Sequence, residues 1–183
     1  MELSGTKIAI LAEDQYQEME LWYPYYRFTE AGAQVEVVAP EAGKSYSSKL
    51  GYPVRCTVSV HEADPSRYDA LVIPGGFAPD LMRRTEAMID FVRRANTQGL
   101  VVAAICHAGW MLASADIVRG KKVTCFFGIK DDLINAGAIY VDQEVVQDGT
   151  IITSRVPDDL PAFCREIIRA LVEVGASEET ARV

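Results

Sequence analysis

Cys106 stands where a predicted buried strand turns into a predicted helix. The run Val101–Ile105 is continuously apolar and partly β-branched, which favours a buried parallel strand, and apolar residues recur at helical spacing from His107 onward. A nucleophile on such a sharp turn is called a nucleophile elbow, and the crowded corner requires small residues two positions before and after it. Ala104 and Ala108 meet that requirement. The alternative is a buried cysteine that only fills space.

Two other predicted strands end near the same edge of the sheet. The first, residues 7–12, leads toward Glu20, and the third ends at Gly75 and Gly76. In an open parallel sheet, the carboxyl ends of the strands line the active site. We therefore expect a carboxyl group, two glycine amides and the Cys106 thiol to share one crevice. The alternatives are a surface glutamate at the start of a helix and an ordinary glycine turn.

Each of these groups has a chemical task. We expect the pKa of Cys106 to be lowered, because a thiol at a helix N-terminus faces the positive end of the helix dipole. The amides of Gly75, Gly76 and His107 are candidates for an oxyanion hole. A protonated Glu20 would donate a hydrogen bond to the sulfur, whereas an ionised one would oppose thiolate formation. His107 acts as a base only if its ring bends back to the sulfur, since neighbouring side chains on a helix diverge; otherwise it lines the pocket rim.

The alternation of strands and helices predicts an α/β fold. We expect a three-layer, flavodoxin-like sandwich, with helices on both faces of a mostly parallel sheet, in a single domain over residues 1–183. Pro24 lies inside the predicted helix 18–30, so that helix should start late or kink. Residues 43–60 indicate a hairpin or an extended excursion, and residues 120–127 indicate a further strand.

Composition narrows the classes of function. The net charge of −8 argues against nucleic acid and against an anionic membrane as partners. The sequence has neither an apolar run of ~20 residues nor a secretory signal pattern, so we expect a cytoplasmic protein. Its four cysteines (Cys56, Cys106, Cys125 and Cys164) are widely spaced, which predicts free thiols. With only two histidines available, we expect no metal site, and nothing in the sequence indicates a cofactor.

Taken together, the motifs resemble the ThiJ/PfpI family (intracellular protease I), whose superfamily shares its fold with class I glutamine amidotransferases. The resemblance covers nearly the whole chain. It rests on Glu18-Met-Glu-Leu-Trp-Tyr-Pro24, Asp69-Ala-Leu-Val-Ile-Pro-Gly-Gly76, Ala104-Ile-Cys-His107, Asp132-Leu-Ile-Asn-Ala-Gly137, Asp142-Gln-Glu-Val-Val146 and Ser154-Arg-Val-Pro-Asp-Asp-Leu-Pro161.

The resemblance implies roles for individual residues. Cys106 would be the nucleophile and Glu20 the acid that hydrogen-bonds to it. Gly75 and Gly76 would supply the amides of an oxyanion hole. The residues implied as pocket lining are Phe126, Arg155 and Pro157.

The resemblance also implies a site that a second subunit completes. At four places, the sequence differs from the pattern of the family. His107 would pair with an acid of the neighbouring subunit, at the position that Asp80 holds here, which implies a homodimer or a larger assembly. Asp80 is shorter than the glutamate of the archetypal protease. Gln17 stands where related sequences have glutamate, Ala108-Gly109 replaces Gly-Pro, and Phe126 replaces a tyrosine.

Three functions follow from this family. The leading hypothesis is a stress-response enzyme of the glyoxalase or protein deglycase type, in which the Cys106 thiolate attacks reactive carbonyls or glycated adducts. The second is a cysteine peptidase that uses Cys106, His107 and an Asp80 in trans. The third is a non-enzymatic oxidative-stress sensor or chaperone that acts through oxidation of Cys106. The expected partners are a second copy of the chain and a small carbonyl or peptide substrate.

Overall fold

Strands and helices alternate through the part of the chain that is described. The structure is a computed structural model that describes the backbone of residues 1–181 and the side chains of residues 1–175. The strands are β1 (Lys7–Leu11), β2 (Gln34–Ala39), β3 (Ser45–Ser47), β4 (Pro53–Arg55), β5 (Val58–Ser59), β6 (Ala70–Ile73), β7 (Val101–Ile105), β8 (Lys122–Val123), β9 (Ile139–Tyr140), β10 (Val145–Asp148) and β11 (Ile151–Ser154). The helices are α1 (Glu18–Glu30), α2 (Ala78–Met82), α3 (Glu86–Thr97), α4 (Gly109–Ser114), α5 (Lys130–Asn135) and α6 (Leu160–Ala181). A single domain over residues 1–183 stays a prediction, and its last two residues lie outside the described ones.

The central sheet has seven strands in the order β10-β11-β7-β6-β1-β2-β5. All neighbouring pairs are parallel except β10 and β11, which form the antiparallel hairpin around Asp148-Gly149. The connection from β1 leads to β2 on one side, and that from β6 leads to β7 on the other. The chain therefore reverses its direction across the sheet between β1 and β6, and such a switch point opens a crevice at the carboxyl ends of the strands.

Helices cover both faces of this sheet. α1 and α6 pack against each other and against strands of the sheet, while α3 and α4 form a second layer that contacts β7. Right-handed crossovers that run in opposite directions across a sheet place their helices on opposite faces. The predicted three-layer α/β sandwich with a mostly parallel sheet is confirmed.

Helix α1 does not start late. It begins at Glu18, and its N-terminus is capped by Gln17, whose side-chain Oε1 accepts a hydrogen bond from Glu20 N at 2.9 Å. Pro24 lies inside the helix and is buried. Because the cap fixes the first turn, the proline removes one internal hydrogen bond without delaying the helix. The expectation of a late start was wrong, whereas its alternative, a kink at Pro24, stays a prediction.

The predicted strand over residues 120–127 was also wrong in extent. Only β8 is a strand, and it pairs with β9 in a separate two-stranded sheet. Two backbone amides here donate to side chains instead of to a neighbouring strand. Lys122 N donates to Asp148 Oδ2 at 2.9 Å, and Thr124 N donates to Thr153 Oγ1 at 2.9 Å. Such side-chain acceptors replace the partner strand that a longer ladder would need.

Residues 43–60 contain the predicted hairpin. β3 and β4 pair in antiparallel fashion outside the main sheet, and β5 then joins the sheet edge beside β2. The turn of this hairpin, residues 48–52, lies against the loop that precedes α1. Tyr16 in that loop forms a parallel bridge with Ser48 and an antiparallel one with Gly76.

Truncating Phe163 tests how much α6 contributes to this core. Phe163 is fully buried on α6, so Phe163→Ala should lower the free energy of unfolding by about 3–5 kcal/mol. Val172 lies on the same helix and is 45% exposed, so Val172→Ala should change it by less than about 1 kcal/mol. Urea unfolding measures both variants. Equal losses would contradict the packing of α6 described here.

Candidate active site

Cys106 occupies the strand–turn–helix corner that the sequence predicts. It follows β7 directly, begins a single 3₁₀ turn, and is followed by α4. Its φ of +62° lies in the left-handed region, which costs a non-glycine residue of order 1–3 kcal/mol and is found most often at functional sites. Ala104 and Ala108 beside it are both buried. The side chain of Cys106 is nearly buried, with 8% of its surface exposed.

Gly75 allows three functional groups to meet. A methyl group added at its Cα would lie 2.7 Å from Glu20 Oε2, 2.8 Å from Cys106 Cβ and 3.0 Å from His107 N. The first two distances are shorter than any real side-chain carbon tolerates. The absence of a side chain at Gly75 therefore brings the ends of β1, β6 and β7 together at one point.

Glu20 is fully buried beside Cys106. Its Oε2 accepts a hydrogen bond from Gly75 N at 2.7 Å, whereas its Oε1 has no partner of good hydrogen-bond geometry among the described residues. Burial raises the pKa of Glu20 to about 7, although the Gly75 and Cys106 contacts oppose that rise. The carboxyl group is therefore about half protonated at neutral pH and mostly protonated below it. In that form it is a hydrogen-bond donor for the sulfur.

The pKa of the Cys106 thiol moves in the direction opposite to the sequence expectation. Burial, followed by the negative charge of an ionised Glu20, raises it to about 12. Backbone contacts from Gly76 and His107 favour the thiolate but do not outweigh these effects. The expected helix dipole is weak here, because a single 3₁₀ turn and a six-residue helix follow the cysteine. Protonation of Glu20 removes the opposing charge, so the two groups titrate as a pair.

The imidazole of His107 does bend back to the sulfur. Its Nδ1 lies 3.2 Å from Cys106 Sγ. The ring stacks on Phe126, with centroids 4.7 Å apart, and meets Trp110 edge-on at 5.2 Å. Burial, and secondarily the charge of Lys49, lowers the pKa of His107. A neutral imidazole in this position is able to accept the thiol proton.

The amides near the sulfur are used differently from the expectation. Gly75 N donates to Glu20, so it is not free for an oxyanion. Gly76 N and His107 N instead point to the sulfur of Cys106. Gly76 has a φ of +79°, and a methyl group there would lie 2.6 Å from Gln15 O. The two amides that remain available for an oxyanion are therefore those of Gly76 and His107.

These groups open into a crevice of about 400 Å³ at the carboxyl ends of the strands. Its walls are mainly apolar and aromatic. The residues that line it are Gln17, Glu20, Lys49, Gly76, Phe77, Cys106, His107, Trp110, Phe126, Val156 and Pro157. The expectation included Phe126 and Pro157 but missed Lys49, Trp110 and Phe77. Trp110 was recoverable from the sequence, since it follows Cys106 by one helical turn.

Two predicted site residues lie away from this crevice. Arg155 is not in its lining; the guanidinium pairs with Asp142 at 2.8 Å and with Asp159 at 2.9 Å. Asp80 lies on α2 and pairs with Arg84 of the same chain. No carboxylate among the described residues hydrogen-bonds His107. An acid for His107 is therefore not supplied by this part of the chain.

The described residues contain no group of three or more His, Cys, Asp or Glu side chains placed to hold a metal ion. None of their helices combines the length and the apolar character that crossing a membrane requires.

The DJ-1/PfpI family model matches residues 6–170. The chain belongs to the DJ-1/PfpI family. This confirms the resemblance inferred from the motifs around Glu20, Gly75 and Cys106.

Relatives in this family carry two kinds of name. The Pyrococcus furiosus protein named deglycase PfpI is 41% identical over 165 residues, which are 90% of this chain and 99% of that protein. The Bacillus subtilis protein named putative cysteine protease YraA is 42% identical over 165 residues, which are 90% of this chain and 98% of that protein. One name is that of a deglycase and the other that of a putative cysteine protease.

A solved structure shows the same fold. It is a two-domain protein from Anabaena variabilis with a DJ-1/ThiJ/PfpI-like and a ferritin-like domain. The TM-score is 0.89 at 41% identity, and the match covers 91% of this chain and 48% of that one.

Gly75→Ala tests the close approach of the three strand ends. The added methyl group must displace Glu20 or the Cys106 corner, so we expect the rate of Cys106 alkylation to change at least about tenfold, with a loss of stability of about 1–3 kcal/mol. Alkylation by iodoacetamide, followed by mass spectrometry, measures the first effect, and urea unfolding the second.

Gly175→Ala is the matched control. A methyl group at Gly175 meets nothing within 4 Å, and alanine favours a helix, so neither quantity should fall. Wild-type alkylation and stability in Gly75→Ala would contradict the tight contact.

Proposed function

We propose that this protein is a cysteine-dependent hydrolase of the deglycase or glyoxalase type. The observation that carries the proposal is the meeting of Cys106, the neutral His107 and the protonated Glu20 in one small crevice. The relative named deglycase supports the same chemistry. A crevice of about 400 Å³ suits a small carbonyl compound or a single modified side chain.

The first step forms a covalent adduct. Cys106 Sγ attacks the aldehyde carbon of methylglyoxal, the thiol proton passes to His107 Nδ1, and the carbonyl electrons move onto the oxygen. The amides of Gly76 and His107 stabilise that oxyanion, which then takes up a proton to give a thiohemiacetal. In its protonated form, which burial favours up to about pH 7, Glu20 donates a hydrogen bond to the sulfur.

The remaining steps balance without an external oxidant. A proton leaves the former aldehyde carbon and returns to the neighbouring ketone carbon through an enediol, so one carbon is oxidised and the other reduced. The product is a thioester of lactate on Cys106. Water cleaves the thioester, lactate leaves, and the thiol recovers its proton. On a glycated adduct, the amine or thiol that carried the carbonyl compound is released as the additional leaving group.

A peptidase is the second candidate, and the contact between His107 and Cys106 favours it. The relative named putative cysteine protease supports it as well. This function needs an acid that orients the imidazole. We propose that Asp80 of the partner subunit supplies it in a homo-oligomer, since no described residue of the same chain does so. The role of Cys106 as an oxidative-stress sensor stays a prediction.

We also propose a cytoplasmic location. The four cysteines are free and buried, and none pairs in a disulfide. This arrangement is typical of a reducing compartment.

Lactate formation from methylglyoxal tests the leading function. Cys106→Ser should lower the rate at least about a hundredfold, because the hydroxyl is a far poorer nucleophile at neutral pH. Cys56→Ser is the matched control. The Cys56 thiol contacts Val58 O at 3.1 Å, and a serine hydroxyl is able to keep that contact.

The outcomes separate the candidates. Lactate from wild type and from Cys56→Ser, but not from Cys106→Ser, supports the deglycase or glyoxalase proposal. Hydrolysis of a fluorogenic peptide that depends on Cys106, without lactate, supports the peptidase. Equal lactate from wild type and Cys106→Ser, or none from either, would contradict the leading proposal.

A further inference from the structure

The crevice contains one permanent cation among its described lining residues. Lys49 lies on the hairpin turn and is one of the residues that line the crevice. The other polar groups include Gln17, Glu20 and His107. Burial raises the pKa of Glu20 to about 7, so about half of it is ionised at pH 7, and burial lowers the pKa of His107, which keeps its ring neutral there. The proposed reaction at Cys106 gives no task to this lysine.

The backbone around Lys49 is fixed. Lys49 N donates to Tyr16 O at 2.9 Å, and Leu50 N donates to Glu18 Oε1 at 2.5 Å. Ser48 Oγ accepts from Tyr52 N at 2.8 Å and so closes the turn. Tyr16 bridges both to Ser48 and to Gly76. The hydrogen bonds that place the Gly76 amide therefore also place the lysine.

The ammonium group of Lys49 has no ion-pair partner among the described residues. It is nevertheless near enough to the site to lower the pKa of both Glu20 and His107. Two carboxyl groups lie near this charge, and neither forms an ion pair with it. Glu20 accepts from Gly75 N and Glu18 accepts from Leu50 N, although Lys49 helps to lower the pKa of each. Lys49 is an exposed residue at the edge of this crevice. Beside mainly apolar walls, a cation without an ion-pair partner attracts an anion more strongly than one in open water.

We propose that Lys49 binds a carboxylate on the substrate, so that the crevice selects carbonyl compounds and adducts with one negative charge beside the reactive carbonyl. One ammonium balances one carboxylate, whereas a doubly charged phosphate would keep an unbalanced charge against the aromatic wall. This inference rests on the proposed nucleophilic role of Cys106 and adds the class of substrate to it.

A matched pair of alkylating reagents tests the proposal without any assumption about turnover. Iodoacetate and iodoacetamide both form a carbon–sulfur bond at Cys106 and release iodide, and they differ mainly in the carboxylate. In Lys49→Gln, the ratio of the iodoacetate rate to the iodoacetamide rate should fall about fivefold. A change in the thiolate fraction alters both rates alike and cancels in the ratio.

Two further variants complete the experiment, with the site of alkylation read by peptide mass spectrometry. Lys49→Arg keeps the charge and should keep the ratio. Lys44→Gln removes a lysine of the same hairpin that pairs with Glu41 outside the crevice, and it should leave the ratio unchanged. In wild type, added salt should also lower the ratio, because a partly exposed charge is screened.

Each outcome decides between the claims. A ratio that Lys49→Gln does not change, while Cys106 still reacts, overturns the role of Lys49 and leaves the proposed function intact. No alkylation of Cys106 by either reagent overturns its nucleophilic role and this inference together. If Lys49→Gln lowers the ratio of the iodoacetate rate to the iodoacetamide rate, but the wild-type protein forms no lactate, the selection for a carboxylate is supported and the glyoxalase reaction is rejected.

Discussion

The hydrogen bond from Gly75 N to the buried Glu20 carboxyl group, 2.7 Å long, is the contact on which the site depends. It joins the helix after β1 to the loop after β6, and Gly75 is small enough for the corner after β7 to close over it. The amide that makes this contact is lost to the oxyanion hole, which leaves Gly76 and His107 for that task. One interaction thus fixes both the acid and the donors around Cys106.

Burial of Glu20 links the site to the stability of the fold. The pKa of Glu20 rises from 4.5 to about 7 on folding. Between these two pH values, the folded chain keeps a proton that the unfolded chain releases. Its contribution to stability is therefore complete below about pH 4.5 and falls as the pH rises through 7. The loss amounts to about 3 kcal/mol, at roughly 1.4 kcal/mol for each pKa unit. A structural glutamate would be expected at the surface, so this cost indicates a chemical role.

The sequence predicts the parts of the site that depend on residues close together in the chain, and it misses those that depend on contacts between distant segments. An all-apolar run followed by small residues identifies β7 and the corner at Cys106, because both depend on near neighbours in the chain. The direction of the thiol pKa was missed, since it depends first on the burial of the thiol in the finished fold and then on the charge of Glu20, which comes from a distant segment. Lys49 was missed for a related reason: only the register between its hairpin and Tyr16 places it in the crevice. Arg155 was assigned to the pocket by resemblance, yet its two aspartate partners hold it outside.

The protonation of Glu20 is the central claim, and a carbon-13 NMR titration of the glutamate carboxyl groups tests it most directly. The resonance that disappears in Glu20→Gln belongs to this residue. A midpoint near pH 7 is the result we predict, because burial outweighs the contacts that favour the ionised form. A midpoint near the ordinary value of about 4.3 would mean that Glu20 is ionised whenever the protein is active. It would then oppose the thiolate instead of donating to it, and the mechanism proposed for Cys106 would be contradicted.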